Sequence, residues 1–150
     1  MDKENQYVPR DLENEINKYL SRKEIIAVVG ARQCGKTTLL KQIISKLKNV
    51  NSLTFEDVKT LKLFQTDIDS FIEINVKGYD YLFIDEVQYA KDSGKKLKFI
   101  FDTQKIKILI TGSSSAELSL QSLKYLVGRI FILELYPFSF KEFLRVKDEK

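Results

Sequence analysis

Short apolar runs rich in β-branched residues recur along the chain, at Ile25-Ile26-Ala27-Val28-Val29, Tyr81-Leu82-Phe83-Ile84, Ile106–Ile110 and Arg129–Leu135, with a more mixed run at Asn51–Phe55. Continuous rather than alternating apolar character marks strands buried on both faces. Between these runs the apolar positions take helical spacing. Leu12, Ile16, Tyr19 and Leu20 form one face of a helix after Pro9, within an N-terminal helical extension over residues 1–20. Leu39, Leu40, Ile43, Ile44 and Leu47 do the same over Thr37–Leu47, and Leu61, Phe64, Ile68, Phe71 and Ile72 predict one or two short helices over 57–75. A helix is expected over Lys95–Asp102, and segment 115–127 also reads as helical. Strands alternating with helices predict an α/β domain, a parallel sheet covered by helices. Right-handed crossovers restrict how such a sheet is wound.

The last segment carries its own local signals. Ser139 and Glu142 match the S-x-x-E capping box, and Phe138 and Phe143 have the spacing of a hydrophobic staple. A helix starting at Ser139 is expected, with Phe140, Phe143 and Leu144 needing cover.

Composition narrows the chemistry. With 150 residues, 43% hydrophobic and 31% charged, the chain suits one globular domain. No apolar run reaches the roughly 18–20 residues of a membrane helix, so no membrane partner is expected. A single cysteine fits a reducing, cytoplasmic setting. The net charge of +4 is mildly basic and does not by itself require nucleic acid. There is no histidine, so His-based acid–base catalysis, Ser-His-Asp triads and His metal sites are excluded from this stretch. Carboxylates, Lys, Arg, hydroxyls and backbone amides must supply the chemistry.

Residues 30–37 read Gly30-Ala31-Arg32-Gln33-Cys34-Gly35-Lys36-Thr37, the pattern G-x-x-x-x-G-K-T, followed by Thr38. The pattern sits between a predicted strand and a predicted helix, the context that makes it a phosphate-binding loop. Gly30 is expected to let the chain leave the strand in a conformation other residues disfavour, and Gly35 to let backbone amides approach phosphate oxygens. Lys36 is placed to reach β- and γ-phosphates, and Thr37 to put its hydroxyl on Mg²⁺. Cys34 reads as a small filler residue and Arg32 as solvent-facing.

The run Tyr81–Ile84 ends in Asp85-Glu86. Asp85 is positioned to accept a hydrogen bond from Thr37 or from a Mg²⁺-bound water. On an extended chain Glu86 points to the opposite side, where it can orient and deprotonate a water. Thr111, Ser113 and Ser114 follow the next strand, and any of these hydroxyls could contact that water or the γ-phosphate. Arg129, after Gly128, is a candidate for stabilising the γ-phosphate, in cis or from a neighbouring molecule. Lys91, Lys95, Lys96 and Lys98 form a basic cluster that reads as a solvated helix face, with a nucleic-acid contact as the alternative.

GARQCGKTTLLKQ, YLFIDEVQYA, ILITGSSS and LVGRIFILELYPFSFKEF, in that order, resemble the AAA+ superfamily ATPases of archaea and bacteria over about residues 20–145. The resemblance implies a P-loop NTPase three-layer sandwich with five parallel strands in the order 5-1-4-3-2. It implies ATP as the nucleotide, Glu86 as the water-activating base, Ser113 or its neighbours as the polar sensor, and Arg129 as a finger or sensor. Members of that family continue past the Ser-Phe-Lys-Glu-Phe segment into a winged-helix region or another C-terminal domain. A partner domain is therefore expected beyond residues 138–150, oligomers are possible in such a family, and a nucleic-acid role is tied to the longer protein.

The functional expectation is an ATPase that uses Mg²⁺ to hydrolyse ATP to ADP and phosphate and couples nucleotide state to a partner region. A nucleotide-dependent switch with little turnover is the alternative. A small-molecule kinase on the same loop is disfavoured, because the chain shows no arginine-rich lid.

Overall fold

The computed structural model describes residues 9–31, 33–113, 124–137, 139–142 and 144. Among the described residues the strands β1 (Ile25–Gly30), β2 (Val50–Thr54), β3 (Tyr81–Asp85), β4 (Lys107–Ser113) and β5 (Ile130–Glu134) are interspersed with the helices α1 (Leu12–Tyr19), α2 (Lys36–Ile44), α3 (Val58–Thr66), α4 (Ile68–Asn75) and α5 (Ser93–Thr103). All strand pairings are parallel. The order is β2-β3-β4-β1-β5, which read from the other edge is the 5-1-4-3-2 order that the family resemblance implies.

Alternate strand residues feed two separate cores. Ile25, Ala27, Leu82, Ile84, Ile108 and Ile110 pack with Phe64, Phe71, Ile72, Leu97 and Ile100 from α3, α4 and α5. Ile26, Val28, Phe83, Leu109 and Leu133 pack with Ile16 of α1 and Leu39, Leu40 and Ile43 of α2. The period-two alternation of a strand thus produces a helix–sheet–helix sandwich. Apolar residues on both sides explain why Ile25–Val29 and Leu82–Ile84 carry no polar position.

Local chemistry sets several boundaries. The apolar stretch over 57–75 breaks in two at Asp67, whose Oδ1 accepts from the Ser70 N–H at 3.1 Å and caps α4. β4 extends through Thr111 and Gly112 to Ser113, past the expected end at Ile110, because Gly30 of β1 remains its register partner. The capping box at Ser139 forms reciprocally: the Ser139 N–H donates to Glu142 Oε1 at 2.8 Å and the Glu142 N–H to Ser139 Oγ at 3.2 Å. The staple of Phe138 and Phe143, Ser114, most of the 115–127 segment and the first eight residues of the N-terminal extension lie outside the described residues. Among the described residues, no helix is long and apolar enough to cross a membrane.

Of the four-lysine cluster, Lys91 and Lys95 are exposed. Lys96 instead lies 5.6 Å from the Phe64 ring centre and donates to the Gln65 carbonyl, docking α5 on α3.

Candidate functional site

The loop between β1 and α2 is shaped by two glycines and one buried cysteine. Crowding rather than an unusual backbone conformation requires glycine at position 30: its φ is not positive, and a Cβ there would lie closer than 3.0 Å to the carbonyl oxygen of Leu135, just after β5, and 2.9 Å from Cys34 Sγ. Gly35 sits at φ 95°, a left-handed conformation that glycine adopts freely, and its carbonyl accepts from the Leu39 N–H at 2.9 Å. Cys34 is buried in the core shared with α1 and α2, as a filler residue should be. Ala31, Gln33 and Thr38 are exposed; Arg32 lies outside the described residues.

Lys36 is 5% exposed, and its ammonium donates to the carbonyls of Gly30 at 3.0 Å and Ala31 at 2.8 Å. Its stem thus lies back along the loop, which places a cation at the mouth of the loop and at the N-terminus of α2. Both features favour an anion.

The carboxyl end of β3 meets the first turn of α2. Thr37 Oγ1 donates to Asp85 at 2.8 Å from Oδ1 and 3.0 Å from Oδ2. β4 lies between β1 and β3, and the fully buried Thr111 on it donates to Asp85 Oδ1. Thr111 Oγ1 also accepts the Glu86 N–H at 2.9 Å. One hydroxyl therefore fixes both members of the acidic pair.

Glu86 departs from the extended geometry expected for it. The strand ends at Asp85, and Glu86 adopts φ 57° and ψ 50°, left-handed, before a short 3₁₀ turn at Val87–Tyr89. A non-glycine residue in this region costs of order 1–3 kcal/mol and persists where neighbours over-determine it. Here the Thr111 hydroxyl holds its backbone, and its carboxylate accepts from Gln88 Nε2. Gln88 Oε1 in turn accepts from the Ser113 N–H at 3.3 Å. The carboxylate is thus turned toward the end of β4, and Ser113 is brought to the same edge.

Arg129 is not brought to this site. It precedes β5, and its carbonyl accepts from Ile25 N–H at the start of β1. In a parallel sheet that is the amino edge, about 16–20 Å from the loop for a strand of this length. Its guanidinium is bound to Asp102, Nε to Oδ1 at 2.9 Å and Nη2 to Oδ2 at 3.3 Å. The hydrogen bond from Arg129 is the main cause holding the Asp102 carboxyl below its usual range. Arg129 therefore cannot reach a phosphate bound by its own loop.

Two residues at the site carry no sequence motif. Gln88 links Glu86 to Ser113, as described. Arg10, 5% exposed and remote in sequence, donates from Nη1 to the Cys34 carbonyl within the loop at 2.8 Å.

The arrangement offers a polyanion the loop amides, Lys36 and a helix N-terminus, and offers a hard cation one hydroxyl and one carboxylate. Among the described residues, no group of three or more acidic, His or Cys side chains could hold an ion. The Thr37–Asp85 pair fits Mg²⁺, which is held by a few protein oxygens together with water and phosphate.

Residues 22–144 match the AAA domain family. The chain is 32% identical over 149 residues to the uncharacterized protein MJ1637 of Methanocaldococcus jannaschii, a match covering 89% of this chain and 30% of that relative. It thus spans less than a third of that relative's length. Among solved structures it is similar to the Walker-type ATPase PABY2304 of Pyrococcus abyssi, with a TM-score of 0.67 at 17% identity over 95% of this chain and 57% of that one. It is also similar to the Pif1 helicase from Bacteroides in complex with ADP-AlF3 and ssDNA, with a TM-score of 0.58 at 17% identity over 96% of this chain and 46% of that one. At such identities these likenesses speak for the fold. With the family match and the strand order in agreement, the chain belongs to the AAA domain family and has the P-loop ATPase fold.

Proposed function

We propose that this chain binds ATP with Mg²⁺ and hydrolyses it to ADP and phosphate. The observation that carries the reading is the convergence of Lys36, Thr37, Asp85, Thr111 and Glu86 at the carboxyl edge of β1, β4 and β3.

In this reading the amides from Gly30 to Thr37 enclose the β-phosphate, and Lys36 leaves the Gly30 and Ala31 carbonyls for the β- and γ-oxygens. Thr37 and Asp85 would hold Mg²⁺, whose charge supports negative charge developing on the phosphates. Glu86 orients a water for attack on the γ-phosphorus and takes its proton, which such a base makes worth roughly 10²–10⁴-fold in rate. Thr111 sets the relation between Asp85 and Glu86, and Ser113 supplies a polar group at the γ-phosphate. Positioning and charge neutralisation carry most of the catalysis. Arg129 contributes only where a neighbouring molecule presents it, after release from Asp102. Partner recognition belongs to the part of the longer relatives outside this span.

One observation favours the switch reading: the Glu86 carboxylate is engaged by Gln88, so the base is held until something displaces that amide. Steady-state phosphate release from Mg-ATP separates the two. Sustained release that is lost in Glu86→Gln, with nucleotide binding retained, supports hydrolysis. Tight binding with no multiple turnover supports the switch.

A further inference from the structure

We propose that Arg10 is a positioning residue for the phosphate loop and that it couples nucleotide occupancy to the seating of residues 135–137 and 139–142. The proposal rests on the nucleotide-binding reading above.

Arg10 spends its guanidinium on three separate parts of the chain. Nη1 donates to the Cys34 carbonyl in the loop at 2.8 Å, Nη2 to the Tyr136 carbonyl after β5, and Nε to Glu142 Oε2 at 2.9 Å. Glu142 also accepts the Asp11 N–H at 3.0 Å, while its other oxygen holds the Ser139 N–H. The ion pair is nearly dry, with side chains 4% and 6% exposed. A buried pair of this kind is poor evidence for extra stability, since desolvation offsets its attraction. Its effect is geometric: a planar fork that joins two backbone carbonyls, those of Cys34 and Tyr136, to the Glu142 carboxylate.

The fixed segments are the ones that matter to a bound phosphate. Nη1 would be 3.1 Å from a Cβ on Gly35, so the guanidinium lies against the peptide that introduces α2. The Cys34 carbonyl it holds belongs to the Cys34–Gly35 peptide, whose N–H is one of the loop donors. On the other side the Leu135 N–H donates to Val29 at 2.8 Å, and the Leu135 carbonyl abuts Gly30. The segment after β5 is otherwise lightly packed: Tyr136 and Pro137 are exposed and border a groove of about 290 Å³ against the start of α1. Any shift of the loop as phosphate enters is therefore passed through Arg10 to Tyr136 and Glu142, and by linkage the seating of that segment alters nucleotide affinity equally.

The test measures Mg-ADP affinity by calorimetry and hydrogen exchange of the 135–142 amides on the full chain, for the parent, Arg10→Gln, Glu142→Gln and the double variant. Mg-ADP is expected to change exchange across 135–142 in the parent. Arg10→Gln weakens Mg-ADP binding about tenfold, within the roughly 5–150-fold range of such couplings, and abolishes the nucleotide-dependent exchange. Glu142→Gln weakens binding less, and the double variant binds as Arg10→Gln does. Full affinity and an unchanged exchange response in a folded Arg10→Gln chain overturn the proposal, as do independent, multiplying effects of the two substitutions. If Arg10→Gln does not fold, Glu142→Gln decides alone, unchanged affinity and exchange response overturning it and a weakening of both upholding it. No Mg-ADP binding by the parent instead removes the nucleotide-site reading on which the proposal stands.

Discussion

Thr37 Oγ1 lies 2.8 Å from Asp85 Oδ1 although 48 residues separate the two, and the contact closes the first turn of α2 onto the end of β3. A hydroxyl and a carboxylate so joined, beside a loop that offers Lys36 to an anion, would offer two oxygen ligands to a small hard cation.

Asp85→Asn tests that relationship. The amide preserves the shape and a hydrogen bond but removes the charge, and the affinity for Mg²⁺ at saturating ADP is expected to fall at least about 10-fold, the cost of losing even a residue that only orients a metal ligand. Titrating Mg²⁺ against a fixed ADP concentration measures it, and an unchanged midpoint rules the assignment out.

Thr111→Val separates positioning from binding. Its methyl keeps the buried volume while withdrawing the donor to Asp85 and the acceptor of the Glu86 N–H. The expected result is a fall in kcat of about tenfold, equivalent to ~1.4 kcal/mol, with KM for Mg-ATP nearly constant. Thr111→Ser should restore most of the rate. A rise in KM at constant kcat contradicts the role given to this hydroxyl.

Gly30→Ala places a methyl against the Leu135 carbonyl and Cys34 Sγ. Both neighbours are held, Leu135 by its N–H bond to the Val29 carbonyl and the sulfur by the core, so destabilisation of about 1–3 kcal/mol is expected. Urea denaturation monitored by circular dichroism reads this directly, and an unshifted midpoint contradicts the close approach of β5 to the loop.

Glu142 supplies a pH signature. Burial, the largest single influence, pushes its carboxyl up, but the N–H groups of Ser139 and Asp11 and the Arg10 guanidinium together outweigh it and hold the carboxyl below its ordinary 4.5. With the folded value below the unfolded one, the unfolded chain binds more protons in that window. The contribution to stability is complete above pH 4.5 and is lost as pH falls through the depressed value. The stability gap between parent and Glu142→Gln should therefore be largest near neutrality and close in acid. A gap constant from pH 7 to about pH 3 goes against the buried ion pair.

Much of this was legible in the sequence because it is local. The apolar runs became strands, the G-x-x-x-x-G-K-T pattern became the turn into α2, and S-x-x-E became a reciprocal cap, each depending on residues within a few positions of one another. What escaped depends on distance or on turn geometry. Nothing local marks Arg10 as buried, because its partners Cys34 and Glu142 lie 24 and 132 residues away. Glu86 follows an extended strand in sequence, yet Thr111 on another strand and Gln88 in the next turn decide its left-handed backbone and the direction of its carboxylate. Arg129 could have been placed correctly from topology alone. A residue that opens a strand in a parallel sheet sits at the amino edge, whereas the phosphate loop, which closes one, sits at the carboxyl edge.

The central claim is that the hollow from Gly30 to Thr37 holds a polyphosphate, and titration calorimetry of the parent chain and Lys36→Ala with Mg-ADP addresses it most directly. A saturable heat with one site per chain, accompanied by a thermal upshift and lost in a folded Lys36→Ala chain, is the predicted result. No heat from the folded parent, or the same affinity with alanine at position 36, contradicts the account.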